Sequence, residues 1–472
     1  MNQHYINHSI FRAYDIRGKV DENLTVAVAL LIGKAFGTYI QKIEGNEIAI
    51  GKDNRLSSEA LQKAFIEGLI STGCNVIDIG LSLSPMLYFA VHKWKLCGGV
   101  NVTGSHNPIE YNGFKMTKRD AAPVAGEEIQ IIKKIIEEKS FIQGKGSLRK
   151  KEIKDEYYDF LKSKAKLQNK QNKLLKVVVD AGNGIAGIYA PQLLREIGCE
   201  VIELYCDSNG SFPNHLPDPE MEENLHDLKI AVAKHKADIG FAYDGDGDRV
   251  GIVGIVDEHG KHYESDFVLI LLAREFLKRH PGEKVLFDVK CSRNVEDDIK
   301  SHGGQPFLFK TGHSLIKEKM REENILFGGE ISGHMFFGED SFVYDDGVQA
   351  SIRILNILSM YDKKLSEHFV DLKHYFSTSE LKAECPDEDK FQVVDKVSAF
   401  FLSQYPDSIT IDGIRINFPD GWALIRASNT NPYLTIRIEA DSEQSLKEIK
   451  KIVVDKLNTF PSVTVPETLK NF

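Results

Sequence analysis

The chain has 472 residues, with 69 acidic against 59 basic side chains and a net charge of −10. At roughly 100 to 200 residues per domain, that length holds three or four cores. The acidic balance disfavours long-range attraction to nucleic acid or to an anionic membrane surface, so a phosphorylated ligand would have to meet a local basic cluster. Cys74, Cys97, Cys199, Cys206, Cys291 and Cys385 lie far apart with no C-x-x-C pair. That spacing fits a reducing compartment and no disulfide framework.

The N-terminal MNQHYINHSIFRAYDIRG lacks the apolar core of a secretory signal. The most apolar stretch, Val26 to Phe36, is interrupted by Lys34 well short of a membrane span, so a cytoplasmic chain with no membrane partner is expected. From Glu47 to Gly80 an apolar strand, a polar loop, an amphipathic helix, a glycine and a second apolar strand succeed one another. The order returns at Lys176 to Asp207 and more loosely at Lys284 to Gly312, which predicts three related α/β domains. Gly73 and Gly198, each followed by cysteine, are placed to end the connecting helices in the left-handed conformation.

Between the first two repeats, GGVNVTGSHNP runs an apolar strand into a loop of small residues that displays Ser105. Read alone, it is equally an ordinary Ser-Asn-Pro turn. A serine hydroxyl is a weak nucleophile unless a base or positive charge lies near, and His106 and Lys115 are the neighbours available. The lysine-rich stretch 145–173 is a candidate junction.

After the second repeat, Asp244, Asp246 and Asp248 alternate with glycine between the apolar runs Ala237 to Tyr243 and Val250 to Val256. Three converging carboxylates require a cation, and oxygen ligands in this number suit Mg²⁺. A calcium EF-hand loop is excluded, because its sixth and twelfth positions would be Arg249 and Ile255. Arg249 would face a phosphate. The loop Asp257 to Gly260 reads as another junction.

Further on, FGGEISGH places Glu330 and Ser332 two positions apart, on one side if the loop is extended, where vicinal sugar hydroxyls could be met. After about Lys373 the pattern changes to separated elements that end in a hairpin, WALIRASNTNPYLTIRIEA, and a helix from Ser442 to Asn458. In its loop, Arg426, Ser428, Asn429 and Thr430 offer a guanidinium fork, hydroxyls and amides that can surround a tetrahedral anion.

In order, FRAYDIRG, TGSHNP, DGDGDR, GGEISGH and RASNT resemble the α-D-phosphohexomutase superfamily over essentially the whole chain. NGFK, DVKCSR and KTGHSLIK are similar to its bacterial phosphomannomutase/phosphoglucomutase group. The resemblance implies an α/β fold of four domains, three related with mixed sheets between helices and a C-terminal α+β domain, around a central cleft. Limits of 1–155, 156–258, 259–371 and 372–472 are expected, with one active-site loop from each.

It further implies that Ser105 is phosphorylated, that one Mg²⁺ sits on Ser105 with Asp244, Asp246 and Asp248, and that Glu330 and Ser332 read the sugar hydroxyls. Arg426, Ser428, Asn429 and Thr430 would grip the non-transferring phosphate. Tyr14, Arg17, Lys115, Arg249, Lys290, His313 and His334 would line the cleft, with His106 beside the phosphoserine. Arg17, Lys115 and His313 remain candidates for moving the sugar proton. Ile331 stands where the mannose/glucose group usually has methionine and the phosphoglucosamine group glutamine, and its apolar side chain favours mannose or glucose. The implied reaction moves phosphate between the 1 and 6 positions through a hexose 1,6-bisphosphate. Phosphoglucosamine mutase and a sugar phosphatase using the same phosphoserine are the alternatives, and a monomer or weak dimer is expected.

Overall fold

The structure, a computed structural model, describes residues 7–168, 174–339, 342–361, 363–428 and 431–470. The first part runs β1 (Ile16–Lys19), α1 (Val26–Ile43), β2 (Glu47–Lys52), α2 (Ser58–Ser71), β3 (Asn75–Leu81), α3 (Ser84–Lys93), β4 (Gly98–Val102) and β5 (Tyr111–Lys118). It continues with α4 (Glu127–Glu137), β6 (Leu148–Lys150) and α5 (Lys154–Lys164). The sheet order is β1-β5-β4-β2-β3-β6. Strands β2, β3, β4 and β6 are parallel and β5 is antiparallel to β4 and β1.

The apolar run expected to stop near Phe36 continues to Ile43 as α1. Thr25 Oγ1 caps it by accepting from Val28 N at 3.3 Å. The helix is long and apolar enough to cross a membrane, but 56% of it is buried, including Ile32, Phe36 and Ile40. Those side chains pack with Phe65 of α2 and Phe114 of β5, each contributing about 1.5–3 kcal/mol. The register pairs Lys52 with Val102, so β2 and β4 end side by side and their following loops meet.

The second part runs β7 (Lys176–Asp180), α6 (Ala186–Glu196), β8 (Glu200–Leu204), α7 (His226–His235), β9 (Ile239–Tyr243), β10 (Val250–Val256) and β11 (His259–Tyr263). Its sheet order is β11-β10-β9-β7-β8. Gly73 and Gly198 have φ of 97° and 99°, the left-handed turns that end α2 and α6. Both expected junctions hold secondary structure. The stretch 145–173 carries β6 and α5, whose Tyr157, Tyr158 and Leu161 are buried. The loop Asp257 to Gly260 is the tight turn of the β10–β11 hairpin, with φ of 46° at Asp257 and 69° at Glu258.

The third part runs α8 (Ser265–Arg279), β12 (Lys284–Asp288), α9 (Arg293–Ser301), β13 (Gln305–Phe309), α10 (His313–Glu322), β14 (Phe327–Gly329), β15 (Met335–Phe337), β16 (Tyr344–Asp345) and α11 (Gly347–Met360). Strands β14, β15 and β16 pair antiparallel. The last part runs β17 (Phe376–Ser377), β18 (Leu381–Glu384), α12 (Lys390–Leu402), β19 (Ile414–Phe418), β20 (Gly421–Ala427), β21 (Tyr433–Ala440), α13 (Glu443–Leu457) and α14 (Glu467–Lys470). The hairpin read from the sequence is β20–β21, and Ser442 caps α13 by accepting from Ser445 N at 3.1 Å.

Two compact units result: residues 1–285, 299–305 and 312–370, and residues 286–298, 306–311 and 371–472. The second unit thus includes the end of β12. There Val289 packs with Trp422 and Leu424, and Arg415 Nη1 donates to Val289 O at 2.9 Å and to Cys291 O at 3.0 Å.

Candidate active site

Ser105 follows β4 with φ of 49° and is 2% exposed. A non-glycine residue held in the left-handed region stores strain of order 1–3 kcal/mol, which the surroundings must offset. Its N–H donates to Thr103 Oγ1 at 2.8 Å. The main brace is Arg55, in the loop after β2. Its Nη2 donates to Ser105 O at 2.8 Å and Asn107 O at 2.5 Å, and its Nη1 to Pro108 O at 2.8 Å and Tyr111 O at 3.0 Å. Asp53 completes the brace by accepting from Gly104 N at 3.0 Å and Arg55 N at 3.0 Å. A Cβ on Gly104 would lie 2.3 Å from Arg55 Nε, so only glycine admits the guanidinium here. Arg17, held by Asp15 at 2.7 Å, donates through Nη1 to Gly104 O.

The aspartate loop between β9 and β10 meets this serine directly. Ser105 Oγ donates to Asp244 Oδ2 at 2.8 Å and lies 3.2 Å from His106 Nδ1. Asp244, Asp246 and Asp248 are fully buried, with one carboxylate oxygen of each within 4.8 Å of the others. Asp246 Oδ2 accepts from Ser84 Oγ at 2.5 Å and pairs with Lys115 Nζ at 2.8 Å; Lys115 also donates to Asp248 Oδ2.

Burial, then the charges of Asp246 and Asp248, push the Asp244 carboxyl well above the usual carboxylate range. Burial would do the same to Asp246, but Lys115 outweighs it and holds that carboxyl low. In turn Asp246 and Asp248 outweigh the burial of Lys115 and hold its ammonium well above its ordinary value. Burial, reinforced by Arg249, Arg17 and Lys115, keeps His106 neutral. One lysine does not satisfy three buried carboxylates. Asp246 Oδ1 and Asp248 Oδ1 are buried with no hydrogen-bond donor among the described residues. A small divalent cation is the partner these oxygens fit.

Glu330, Ser332 and His334 lie in the turn between β14 and β15. The turn is closed by Glu330 N to His334 O at 2.9 Å and Gly333 N to Glu330 O at 3.1 Å. The expectation of an extended loop is therefore corrected: the hairpin folds back within four residues. Glu330 Oε1 accepts from Gly312 N at 2.6 Å. Val250 N donates to Gly333 O at 3.2 Å, joining this turn to the strand after the aspartate loop. His334 Nε2 accepts from Arg249 Nε at 3.0 Å, and Arg249 N donates to Asp244 Oδ1 at 3.2 Å. His313, the first residue of α10, stacks on His334 with ring centroids 5.2 Å apart, and Tyr14 meets its edge at 5.5 Å. Burial and Lys317 lower His313 to about 4.

The structure thus brings together Tyr14, Arg17, Ser105, His106, Lys115, the three aspartates, Arg249, His313, Glu330, Ser332 and His334 within the first unit. In the second unit, Lys290 Nζ donates to Glu380 Oε2 at 2.9 Å, and Arg426 Nε to Asp412 Oδ2 at 2.9 Å. Ser428 Oγ accepts from Asn431 N at 3.2 Å. Asn429 and Thr430 lie outside the described residues. The sequence reading missed Arg55, Asp53 and Glu380. An aspartate two residues before an arginine at a strand end was the only signal for the first two.

Repeated α/β sheets with a buried serine on an aspartate triad define a metal-assisted phosphoryl-transfer enzyme of the phosphohexomutase class. Four successive domains of the phosphoglucomutase/phosphomannomutase family match this chain: α/β/α domain I over residues 8–143, II over 155–260, III over 264–375, and the C-terminal domain over 380–456. A phosphomannomutase/phosphoglucomutase of Pseudomonas aeruginosa is 42% identical over 455 residues, 96% of each chain. A phosphoglucomutase of Neisseria meningitidis is 41% identical over 465 residues, 98% of this chain and 99% of its own. The crystal structure of a phosphoglucomutase/phosphomannomutase family protein from Burkholderia thailandensis superposes with a TM-score of 0.90 at 38% identity, covering 98% of this chain and all of that one. The chain belongs to the phosphoglucomutase/phosphomannomutase family.

Proposed function

We propose that the chain is a cytoplasmic phosphomannomutase/phosphoglucomutase that interconverts the 1- and 6-phosphates of mannose or glucose through phospho-Ser105. The observation that carries this reading is Ser105 Oγ on Asp244 Oδ2 at 2.8 Å, inside a buried triad with unsatisfied oxygens. In the first half-reaction the C6 hydroxyl of a hexose 1-phosphate attacks the phosphorus on Ser105; the P–Oγ bond breaks and the hydroxyl proton leaves. The hexose 1,6-bisphosphate then turns over, and Ser105 Oγ takes the 1-phosphoryl group as the O1–P bond breaks and O1 takes back the proton, leaving the hexose 6-phosphate.

Asp244, Asp246 and Asp248 would hold one Mg²⁺, which when bound supplies positive charge for the phosphoryl oxygens. Arg249 adds a guanidinium on the same loop. Of the three proton-moving candidates, Arg17 and Lys115 are held charged by their carboxylate partners. Burial and Lys317 hold the His313 imidazole below its ordinary range, which leaves it the candidate able to accept a proton. Glu330 and Ser332 are assigned to the sugar hydroxyls, with Tyr14 and His334 lining the site. Arg426, Ser428, Asn429 and Thr430 are assigned to the non-transferring phosphate, with Lys290 assisting. The domain limits remain those read from the sequence, with no nucleic-acid or membrane partner and a monomer or weak dimer.

Coupled assays on mannose 1-phosphate, glucose 1-phosphate and glucosamine 1-phosphate, with inorganic phosphate followed in parallel, test the proposal. Turnover of the first two without phosphate release is expected. Faster turnover of glucosamine 1-phosphate would reassign the sugar, and stoichiometric phosphate release would make the enzyme a phosphatase. Ser105→Ala should abolish both turnover and the covalent phosphate seen by intact mass.

A further inference from the structure

Ser84, the first residue of α3, is fully buried and belongs to none of the motifs singled out in the sequence. It meets Asp246 at two points. Its N–H donates to Asp246 O at 2.9 Å, and its Oγ donates to Asp246 Oδ2 at 2.5 Å. One residue thus holds both the backbone and the carboxylate of Asp246, which fixes the direction in which that side chain leaves the loop. Pro85, next along α3, has its φ preset for the first helical turn, so the segment that makes both contacts has little freedom of its own.

A third residue sets the direction of the Ser84 hydroxyl. Asn101, fully buried on β4, donates through Nδ2 to Ser84 Oγ at 2.9 Å. A serine hydroxyl has one hydrogen to give. With Asn101 on a lone pair of Ser84 Oγ, that hydrogen goes to Asp246 Oδ2. Lys115 also pairs with Asp246 Oδ2, but its ammonium is shared with Asp248. Lys115 therefore neutralises the two carboxylates together, whereas the Ser84 hydroxyl is aimed at Asp246. The other oxygen, Asp246 Oδ1, is buried and has no hydrogen-bond donor among the described residues. It is the oxygen left for a cation.

We propose that Ser84, oriented by Asn101, is a positioning residue that presents Asp246 Oδ1 to the cation of the aspartate triad and so sets the affinity of the site for a divalent metal. The proposal rests on the reading of the triad as a cation site. Ser84→Ala keeps the backbone contact to Asp246 and removes the one on its carboxylate, which can then turn toward Lys115 and away from the metal position. Ser84→Thr keeps the hydroxyl and with it both contacts.

The test is calorimetric titration of Mg²⁺ and of Mn²⁺ into the metal-stripped full chain, beside a metal-free thermal melt. In Ser84→Ala the dissociation constants for both ions should rise roughly 10- to 100-fold. The Mg²⁺ concentration that gives half-maximal turnover of glucose 1-phosphate should rise by the same factor. Ser84→Thr should bind both ions within about threefold of wild type. Because Ser84→Ala leaves the buried Asn101 amide without its acceptor, the double variant Ser84→Ala/Asn101→Leu is measured as well. It replaces the hydrogen-bonded pair by apolar groups of similar shape. The same loss of metal affinity is expected there, in a folded protein. A folded Ser84→Ala or double variant that binds Mg²⁺ within about threefold of wild type, or a folded Ser84→Thr as weak as Ser84→Ala, overturns the proposal. A wild type that takes up neither ion refutes the cation reading of the triad, and the proposal with it.

Discussion

Gly245 offers the sharpest test of how the serine is held. A Cβ built there would lie 2.3 Å from Ser105 O, a backbone atom that cannot swing aside. That is more than an ångström short of an ordinary carbon contact. Gly245 is not among the glycines with left-handed φ, so Gly245→Ala adds this contact without straining its own backbone. Either the aspartate loop or the serine loop must move by about that distance, and Ser105 O would leave Arg55 Nη2, now 2.8 Å away. Overpacking of this kind costs about 1–3 kcal/mol in stability, and a displacement near an ångström at the reacting atoms costs about 10²-fold in rate. The assay is kcat on glucose 1-phosphate with glucose 1,6-bisphosphate present, beside a thermal melt and intact-mass phosphate occupancy. A kcat within about threefold of wild type with full occupancy would show that this contact does not set the serine's position.

Three further outcomes are expected. Asp246→Asn should weaken the divalent-metal dependence of activity while leaving the fold intact, and chelation should silence the wild type; full activity in excess chelator would remove the cation from the account. Arg55→Ala leaves four loop carbonyls without their donor and takes away the guanidinium 3.4 Å from the Asp53 carboxylate, and should cost about 3–5 kcal/mol on chemical denaturation as well as turnover. For Glu339, burial would raise the carboxyl, but Arg353 and then Arg279 lower it to about 2. A depressed carboxyl stabilises the fold above its unfolded value of 4.5 and loses that contribution as pH falls toward about 2. After a discount for partial exposure this is worth about 2 kcal/mol, so Glu339→Gln should lower the melting temperature at pH 7 and converge with wild type near pH 2.

Periodicity made the repeats readable because strand and helix spacing is local: β2–α2–β3 and β7–α6–β8 follow the apolar pattern, and Gly73 and Gly198 end their helices as expected. Chemical identity made Ser105 and the three aspartates readable for a similar reason, since nucleophile and ligand types are written in the residues. Beyond the Asp53–Arg55 spacing nothing marked Arg55, because its role depends on β2 and β4 ending together, a register no single segment encodes. Ser84 was missed likewise, since only the folded chain brings the start of α3 to Asp246. The junction near Asp257 was readable as a polar break, and the second and third family domains match over 155–260 and 264–375; the hairpin turn at Asp257–Glu258 was not, because neither residue is glycine or asparagine, the usual markers of a left-handed turn.

Lys290 lies in the third repeat by sequence, yet the segments 286–298 and 306–311 cluster with residues 371–472. Recombination breakpoints chosen from domain limits alone would therefore cut through a compact unit. A gene fragment encoding only 371–472 would lose Val289 from above Trp422 and Leu424, and would leave Arg415 without the carbonyls of Val289 and Cys291. Chimaeras that exchange the C-terminal piece between relatives should keep their solubility only when those two short upstream segments come from the same parent.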